Sequence, residues 1–472
     1  MLKKILPLLV IFSFLITSGL GCKGISTADQ EAIKPITLNY WRVIDDQDSF
    51  DDILNAYKTL HPNIAINYRK LRPEDFQKEL LNALAEDRGP DMFSIHNTWV
   101  GAYQTKIYPM PSSVRQVFQR VEGTYQKKTV VDIKNTPTPS AKNIEDSYIA
   151  DVGKNVIIPT LDTTTNQYSK MVYGLPMSVD TLVLYYNKDM LDQAGIASPP
   201  KTWAEFQKDV IPLAKIDPNN DIIRAGAAIG TSQNVDRAGD ILALLMMQNG
   251  VVMANDAGGP TFNQVPPGWS GSVPPAEQAL QFYTDFAQPT KQVYTWNDKI
   301  SGSLDAFVRG QAAFFIGYGY HDGFIKARAP KLNYNIAAIP QINPENPTNF
   351  AYYWLETVSK KTKYPNEAWD FILFATNPQN VVKYLSKTGK VAALRELIPS
   401  EKDNPDLAVF ANQLLTAKSW YKGQDAEAAN KYFTDMIDAV LAKEVVNDPE
   451  AYRKAITNAV GKIQQTMYGI SK

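Results

Sequence analysis

Along most of this chain the spacing of hydrophobic positions switches between two periods, and the switching predicts alternating strands and helices. ITLNYW (36–41) reads as a strand. Phe50, Ile53, Leu54, Tyr57 and Leu60 then recur at helical spacing and stop at His61 and Pro62. IAINYRKL (64–71) is a second strand. Pro73 opens a helix with Phe76, Leu80, Leu81 and Leu84 on one face, Gly89 and Pro90 end it, and DMFSI (91–95) is a buried strand. Strand-helix-strand-helix-strand requires crossover connections, hence a mostly parallel sheet and an α/β fold.

Residues 109–169 break the pattern. They are polar, rich in threonine and punctuated by proline, as in KNTPTPSAKN (134–143), and a loop this long is expected to carry structure of its own. YGLPMSVDTLVLYYNKDML (173–191) follows, with a single carboxylate, Asp180, near the start of a tyrosine-rich strand. Thr202 and Glu205 frame a capping box, RAGAAIG (224–230) reads as a strand, 241–248 as an apolar helix, and Pro275 begins another helix. GQAAFFIGYGYHDG (310–323) reads as a short buried strand breaking into a Gly-Tyr loop. NIAAIPQ (335–341) and YYWLETVS (352–359) are expected strands, and the remainder is helical, with Phe433, Met436, Ile437, Val440 and Leu441 as one stripe. No internal repeat is visible.

Composition narrows the functional classes. At 472 residues the chain exceeds what one core supports, so two or more lobes are expected. Lys plus Arg (48) and Asp plus Glu (49) balance, which leaves no basic excess for nucleic acid. The N-terminus has Lys3 and Lys4, an apolar run at 5–16 too short for a membrane span, and then Cys22, the only cysteine. That arrangement resembles the lipobox of bacterial lipoproteins, although Gly19 stands where the motif usually has Leu. A signal peptide at 1–21, lipidation of Cys22 and a tether at 22–35 are therefore expected, with the membrane reached through the lipid anchor only.

Four blocks in order resemble one family. They are HPNIAINYRKL with FQKELLNALAEDRGPDMFSIHN (61–97), YGLPMSVDTLVLYYNKDML with AGIASPPKTWAEF (173–206), AFVRGQAAFFIGYG (306–319), and YYWLETVSKKTKYPNEAWDFILFAT (352–376). The family is the extracellular solute-binding proteins that feed ABC importers, in the branch of the maltose binders. The resemblance implies two α/β lobes of the periplasmic-binding-protein type (type II), each with a mostly parallel sheet, with a ligand cleft between them. It implies crossings near 176–180, 338–341 and 395–403. One lobe would then take 36–178 plus about 341–396, with 109–169 as an insertion, and the other 179–340 plus about 397–472.

A sugar held between lobes needs aromatic faces for its C–H surface and a few groups for its hydroxyls. By position after strands, and by the resemblance, the candidates are Trp41, Asp45, His96, Asn97, Trp99, Asp180, Gln233, Asn234, Tyr318, Tyr320, Trp354, Glu356 and Tyr432. Arg395 is expected to be structural. The expected function is a monomeric carbohydrate receptor that delivers its ligand to permease subunits by hinge closure. No catalytic residue, cofactor or metal is expected: the three histidines lack ligand spacing, HExxH and GxSxG are absent, and DPNND (217–221) lacks the glycine of a calcium loop. Three alternatives stay open at this point: a surface glycoside hydrolase, a scavenger or adhesion module that uses the same cleft without an importer, and a binder of polyamines, peptides or polyols.

Overall fold

The computed structural model describes residues 26–125, 127–162, 166–442 and 448–468, so the signal peptide expected at 1–21 and the expected lipidation of Cys22 fall outside the described residues. The described part of the tether carries a short helix, Thr27–Ala32, with no buried residue.

Two sheets form the two lobes. In the first, strands Ile36–Val43, Ile64–Leu71 and Met92–His96 are parallel, with Ile36–Val43 between the other two. Trp354–Val358 adds antiparallel beside Met92–His96. The helices that connect the parallel strands, Asp51–Leu60 and Pro73–Ala85, follow the expected periodicity. The second sheet runs Lys215–Ile216, Ile222–Ala228, Ala312–Gly317, Val183–Asn187, Tyr334–Ala338. Here only Ile222–Ala228 and Ala312–Gly317 are parallel, so this lobe is mixed rather than mostly parallel. The cause is that Val183–Asn187 enters from the hinge against the direction of its neighbours. The capping box at Thr202 and Glu205 is present and starts helix Trp203–Leu213.

The backbone of Gly226 lies against that helix, and a Cβ there would come 2.4 Å from the Val210 carbonyl oxygen. Gly226→Ala is therefore expected to cost about 1–3 kcal/mol through overpacking, read as a lower urea midpoint.

A third, three-stranded sheet joins the lobes: Ala417–Lys418, Asn349–Tyr352, Asp180–Thr181. The first crossing lies beside the expected 176–180, but the other two come later in the chain. Ala338 still pairs with Val183 and Gln341 bridges Thr202, so 338–341 remains in the second lobe and the crossing is made at 349–352. Arg395 is held in the first lobe, its backbone N–H on the Ser147 carbonyl and its Nε on the Tyr148 carbonyl, and the third crossing waits until 417–418. Buried Gln413 ties the crossings together. Its Nε2 donates to Thr181 Oγ1 (2.9 Å), its Oε1 accepts from the Ile339 N–H (3.0 Å), and its carbonyl accepts from Asn349 Nδ2 (3.3 Å).

The polar excursion does have structure of its own. A long hairpin, Ser113–Glu122 with Lys128–Pro137, is followed by helices Ala141–Ser147 and Ala150–Val156 and a second hairpin, Ile157–Asp162 with Gln167–Val172. It packs on the flank of the first lobe, where Gln116 Nε2 donates to Asp370 of helix Pro365–Ala375 (2.7 Å).

Candidate functional site

Between the lobes lies a cavity of about 800 Å³ whose wall comes from both lobes and the hinge. From the first lobe come the end of strand Ile36–Val43, Trp354, and residues 387–391 at and beyond the C-terminal end of helix Pro378–Thr388. The second lobe supplies Gly319, Tyr320 and the edge strand Tyr334–Ala338, and the hinge supplies Asp180 and Tyr352. No described residue of the 109–169 excursion is among the lining groups.

The first-lobe wall is built on a buried charge relay. Strand alternation puts Tyr40 and Arg42 on one face and Trp41 on the other. Arg42 is 4% exposed. Its Nη2 donates to Glu356 (2.8 Å) and its guanidinium lies 4.3 Å from the Phe50 ring centre. Glu356, 1% exposed, also accepts from Tyr40 OH (2.5 Å) and Ser94 Oγ (2.7 Å). Beside this pair, Asp45 accepts from Lys390 Nζ (2.6 Å) and Tyr384 OH (2.7 Å). Burial pushes the Asp45 carboxyl up, but Lys390 and Arg42 outweigh it and hold the group below the usual carboxylate range.

Aromatic rings continue across the hinge. Trp99 meets Trp354 edge-on at 5.3 Å, His96 lies 4.6 Å from Tyr352, Tyr352 lies 4.6 Å from Tyr318, and Tyr318 stacks on Tyr320 at 5.8 Å. Arg237, paired with Asp240, covers the Tyr352 ring at 5.0 Å. Burial, and then the charge of Arg237, hold the His96 imidazole well below its usual pKa, so it is neutral at pH 7. Its Nδ1 bonds Thr98 Oγ1 (2.7 Å), while His96 Nε2 and Asn97 Oδ1 are buried without a partner among the described residues.

Asp180 stands in the hinge strand opposite Tyr352. Its carboxylate accepts the backbone N–H groups of Thr181 (2.8 Å), Gly319 (2.9 Å) and Tyr320 (3.2 Å). Burial outweighs these bonds and Lys390, and raises its pKa to about 6.

Of the sequence-derived candidates, Asp45, Asp180, Tyr320 and Trp354 meet on the cavity wall, and His96, Asn97, Trp99 and Tyr318 lie in the first lobe's loop and the ring run behind it. The rest are placed otherwise. Trp41, 9% exposed, is a core lid with the Arg69 guanidinium 4.6 Å from its ring. Glu356 is fully engaged inside the first lobe. Gln233 is exposed and bonds Asp438 (3.1 Å). Asn234 spends its side chain on Trp296 Nε1 and the carbonyls of Asn297 and Ile300, each at 2.9 Å, locking its own loop. Tyr432 is half-buried against the second lobe's core under Lys462. Sequence reasoning missed Arg42, Tyr352, Tyr384, Lys390 and Arg237. A charge inside the apolar strand YWRV marks Arg42; the other four become visible only when distant segments meet.

Among the described residues no helix is long and apolar enough to cross a membrane, and no cluster of acidic, His or Cys side chains could hold a metal ion.

Comparison with known proteins places this geometry. A binding protein of Brucella abortus (strain 2308) is 26% identical over 285 residues, which are 58% of this chain and 63% of that protein. The maltodextrin-binding protein MdxE of Bacillus subtilis (strain 168) is 27% identical over 288 residues, 60% of each chain. The chain thus matches less than two thirds of either relative's length. A crystal structure of a cyclo/maltodextrin-binding protein complexed with maltotetraose superposes with a TM-score of 0.65 at 17% identity, covering 92% of this chain and 99% of that one, and so shares the two-lobed type II fold. The model of the bacterial extracellular solute-binding proteins matches residues 43–382, and the chain belongs to that family.

Proposed function

We propose that this chain is the extracytoplasmic receptor of an ABC importer, that it captures a neutral carbohydrate between its lobes, and that hinge closure presents the sugar to permease subunits. Cys22 would carry the lipid anchor. The observation that carries the reading is the wall of the interlobe cavity, where the rings of Tyr320, Tyr352 and Trp354 stand beside polar groups held in fixed places. Flat rings with a few oriented donors and acceptors suit a sugar's mixed surface. Relatives named for maltodextrin and a neighbour holding maltotetraose support a glucan-like oligosaccharide. With the three crossings aligned in one sheet, the lobes would be 36–179 with 353–416, and 182–348 with 419–468.

Charge argues against a polyamine. The lining includes four acids and four bases, and three of the acids are already engaged: Asp45 by Lys390, Asp180 by backbone N–H groups, and Asp322 by Lys326 (2.7 Å). A polycation would meet no spare carboxylate pair. The same engagement argues against hydrolysis, because a general acid needs a free oxygen aimed at the glycosidic bond.

A thermal-shift screen tests this reading, with residues 26–472 against mono- and oligosaccharides, spermidine and short peptides. A sugar at 100 times its Kd should add about 2.7 kcal/mol and raise Tm measurably. A saturating shift with one neutral sugar, recovered intact, is the expected result. A shift with spermidine alone, or release of sugar fragments, would overturn it.

A further inference from the structure

We propose that Asp180 is a positioning residue, which fixes the Tyr320 ring as a stacking platform through the backbone of Gly319 and Tyr320 and does not itself meet the sugar. This rests on the receptor reading above and concerns how its site is built.

Three features carry the inference. Both carboxylate oxygens are engaged by backbone: Oδ1 accepts from Thr181 and Gly319, and Oδ2 from Tyr320. The last two N–H groups open helix Tyr320–Arg328, whose N-terminal dipole also favours a negative charge there. Gly319 is the residue that lets the carboxylate come so close, since a Cβ at 319 would stand 3.0 Å from both Asp180 Oδ1 and the Phe410 ring. Finally, the fixed backbone sets the ring. Tyr320 stacks on Tyr318 and packs at 5.8 Å against Tyr352, the residue paired with Asp180 in the hinge sheet. The carboxylate therefore holds the platform in register with the hinge.

Protonation would undo the arrangement. A carboxylic acid loses the charge that strengthens all three N–H bonds, and its hydroxyl oxygen becomes a weaker acceptor for the N–H it faces. The groups facing Asp180 are Lys390 from the first lobe, Tyr185 and Tyr320 from the second, and Tyr352 from the hinge, and only Lys390 among them carries charge near neutral pH. With burial raising the carboxyl to about 6, ionisation is about nine-tenths complete at pH 7 and about nine-tenths lost at pH 5. The sugar-competent form is the ionised one, so affinity is full above this range and falls through it, by about tenfold at pH 5. Folding stability responds oppositely. A carboxyl raised above its unfolded value of 3.8 favours the folded state as pH falls from 6 toward 4. A merely structural role would not separate the two.

The test uses the full chain labelled with 15N-glycine, together with maltotriose and the other neutral sugars of the screen. The Gly319 amide signal should titrate with a midpoint near pH 6 and lose that titration in Asp180→Asn. Asp180→Asn should bind the best neutral sugar at least tenfold more weakly at pH 7.5 and lose the pH dependence. In a Tyr320→Ala background, Asp180→Asn should cost nothing further. Additive losses in the double variant would mean that the carboxylate touches the sugar, and overturn the proposal. A Gly319 amide that ignores pH from 5 to 7.5 would overturn it with no variant needed. If no sugar binds the natural protein the receptor reading fails, and the Gly319 titration still decides the positioning role.

Discussion

Glu356→Ala is expected to destabilise the protein by about 3–5 kcal/mol, the loss typical of a buried ion pair stripped of one partner. The reason is what remains behind. Arg42 would keep its charge in a pocket of rings, with Asp45 3.6 Å away as its nearest compensation, while Tyr40 OH and Ser94 Oγ would lose their acceptor. The measurement is urea unfolding followed by fluorescence, with a lower midpoint and an unchanged slope. Replacing both members, Arg42→Met with Glu356→Leu, should return most of the loss, because no unpaired charge is then left buried. If Glu356 were instead a ligand group, Glu356→Ala would leave the midpoint alone and weaken sugar binding.

The second large effect separates two neighbouring tyrosines. Tyr320→Ala should weaken sugar binding about 10- to 100-fold, which at 1.4 kcal/mol per decade is about 1.4–2.8 kcal/mol. Ring stacking and the apolar area it covers together supply that range. The change should leave Tm close to the natural value, since Tyr320 is half-buried at the cavity wall. Tyr320→Phe should keep most of the affinity. Tyr318→Ala should do the reverse. That side chain is 0% exposed and its hydroxyl donates to Asp240 (2.8 Å), so its loss opens a cavity and removes one of the partners of that acid. About 3–5 kcal/mol of stability is expected to go with it. Calorimetric titration and thermal unfolding of both variants distinguish the roles.

What could be read from the sequence follows from how local each signal is. Strand Ile64–Leu71 and helix Pro73–Ala85 were legible because period and punctuation coincide within a dozen residues. The hinge at Asp180 was legible because a turn, an acid and a strand stand together there. The second crossing was not. Residues 349–358 carry one unbroken β pattern, yet the chain leaves the hinge sheet at Tyr352 and enters the first-lobe sheet at Trp354, so the break falls on Tyr353. Its hydroxyl is held by Asp151 of the excursion (3.1 Å), a contact 202 residues away in the chain. The site divided in the same way. Tyr320 and Asp180 do stand on the cavity wall. Asn234 and Glu356 have the right chemistry at the right strand ends, but partners from elsewhere in the fold consume it. Lys390 and Tyr384 look like ordinary surface and helix residues until Asp45 meets them.

The most direct test of the account is calorimetric titration of the natural chain with the neutral oligosaccharide that raises Tm most, followed by mass analysis of the sugar. The account predicts one sugar per chain, affinity lost in Tyr320→Ala, and the sugar recovered unaltered. Saturable binding of spermidine with no response to any neutral sugar, or a sugar returned in pieces, would contradict it.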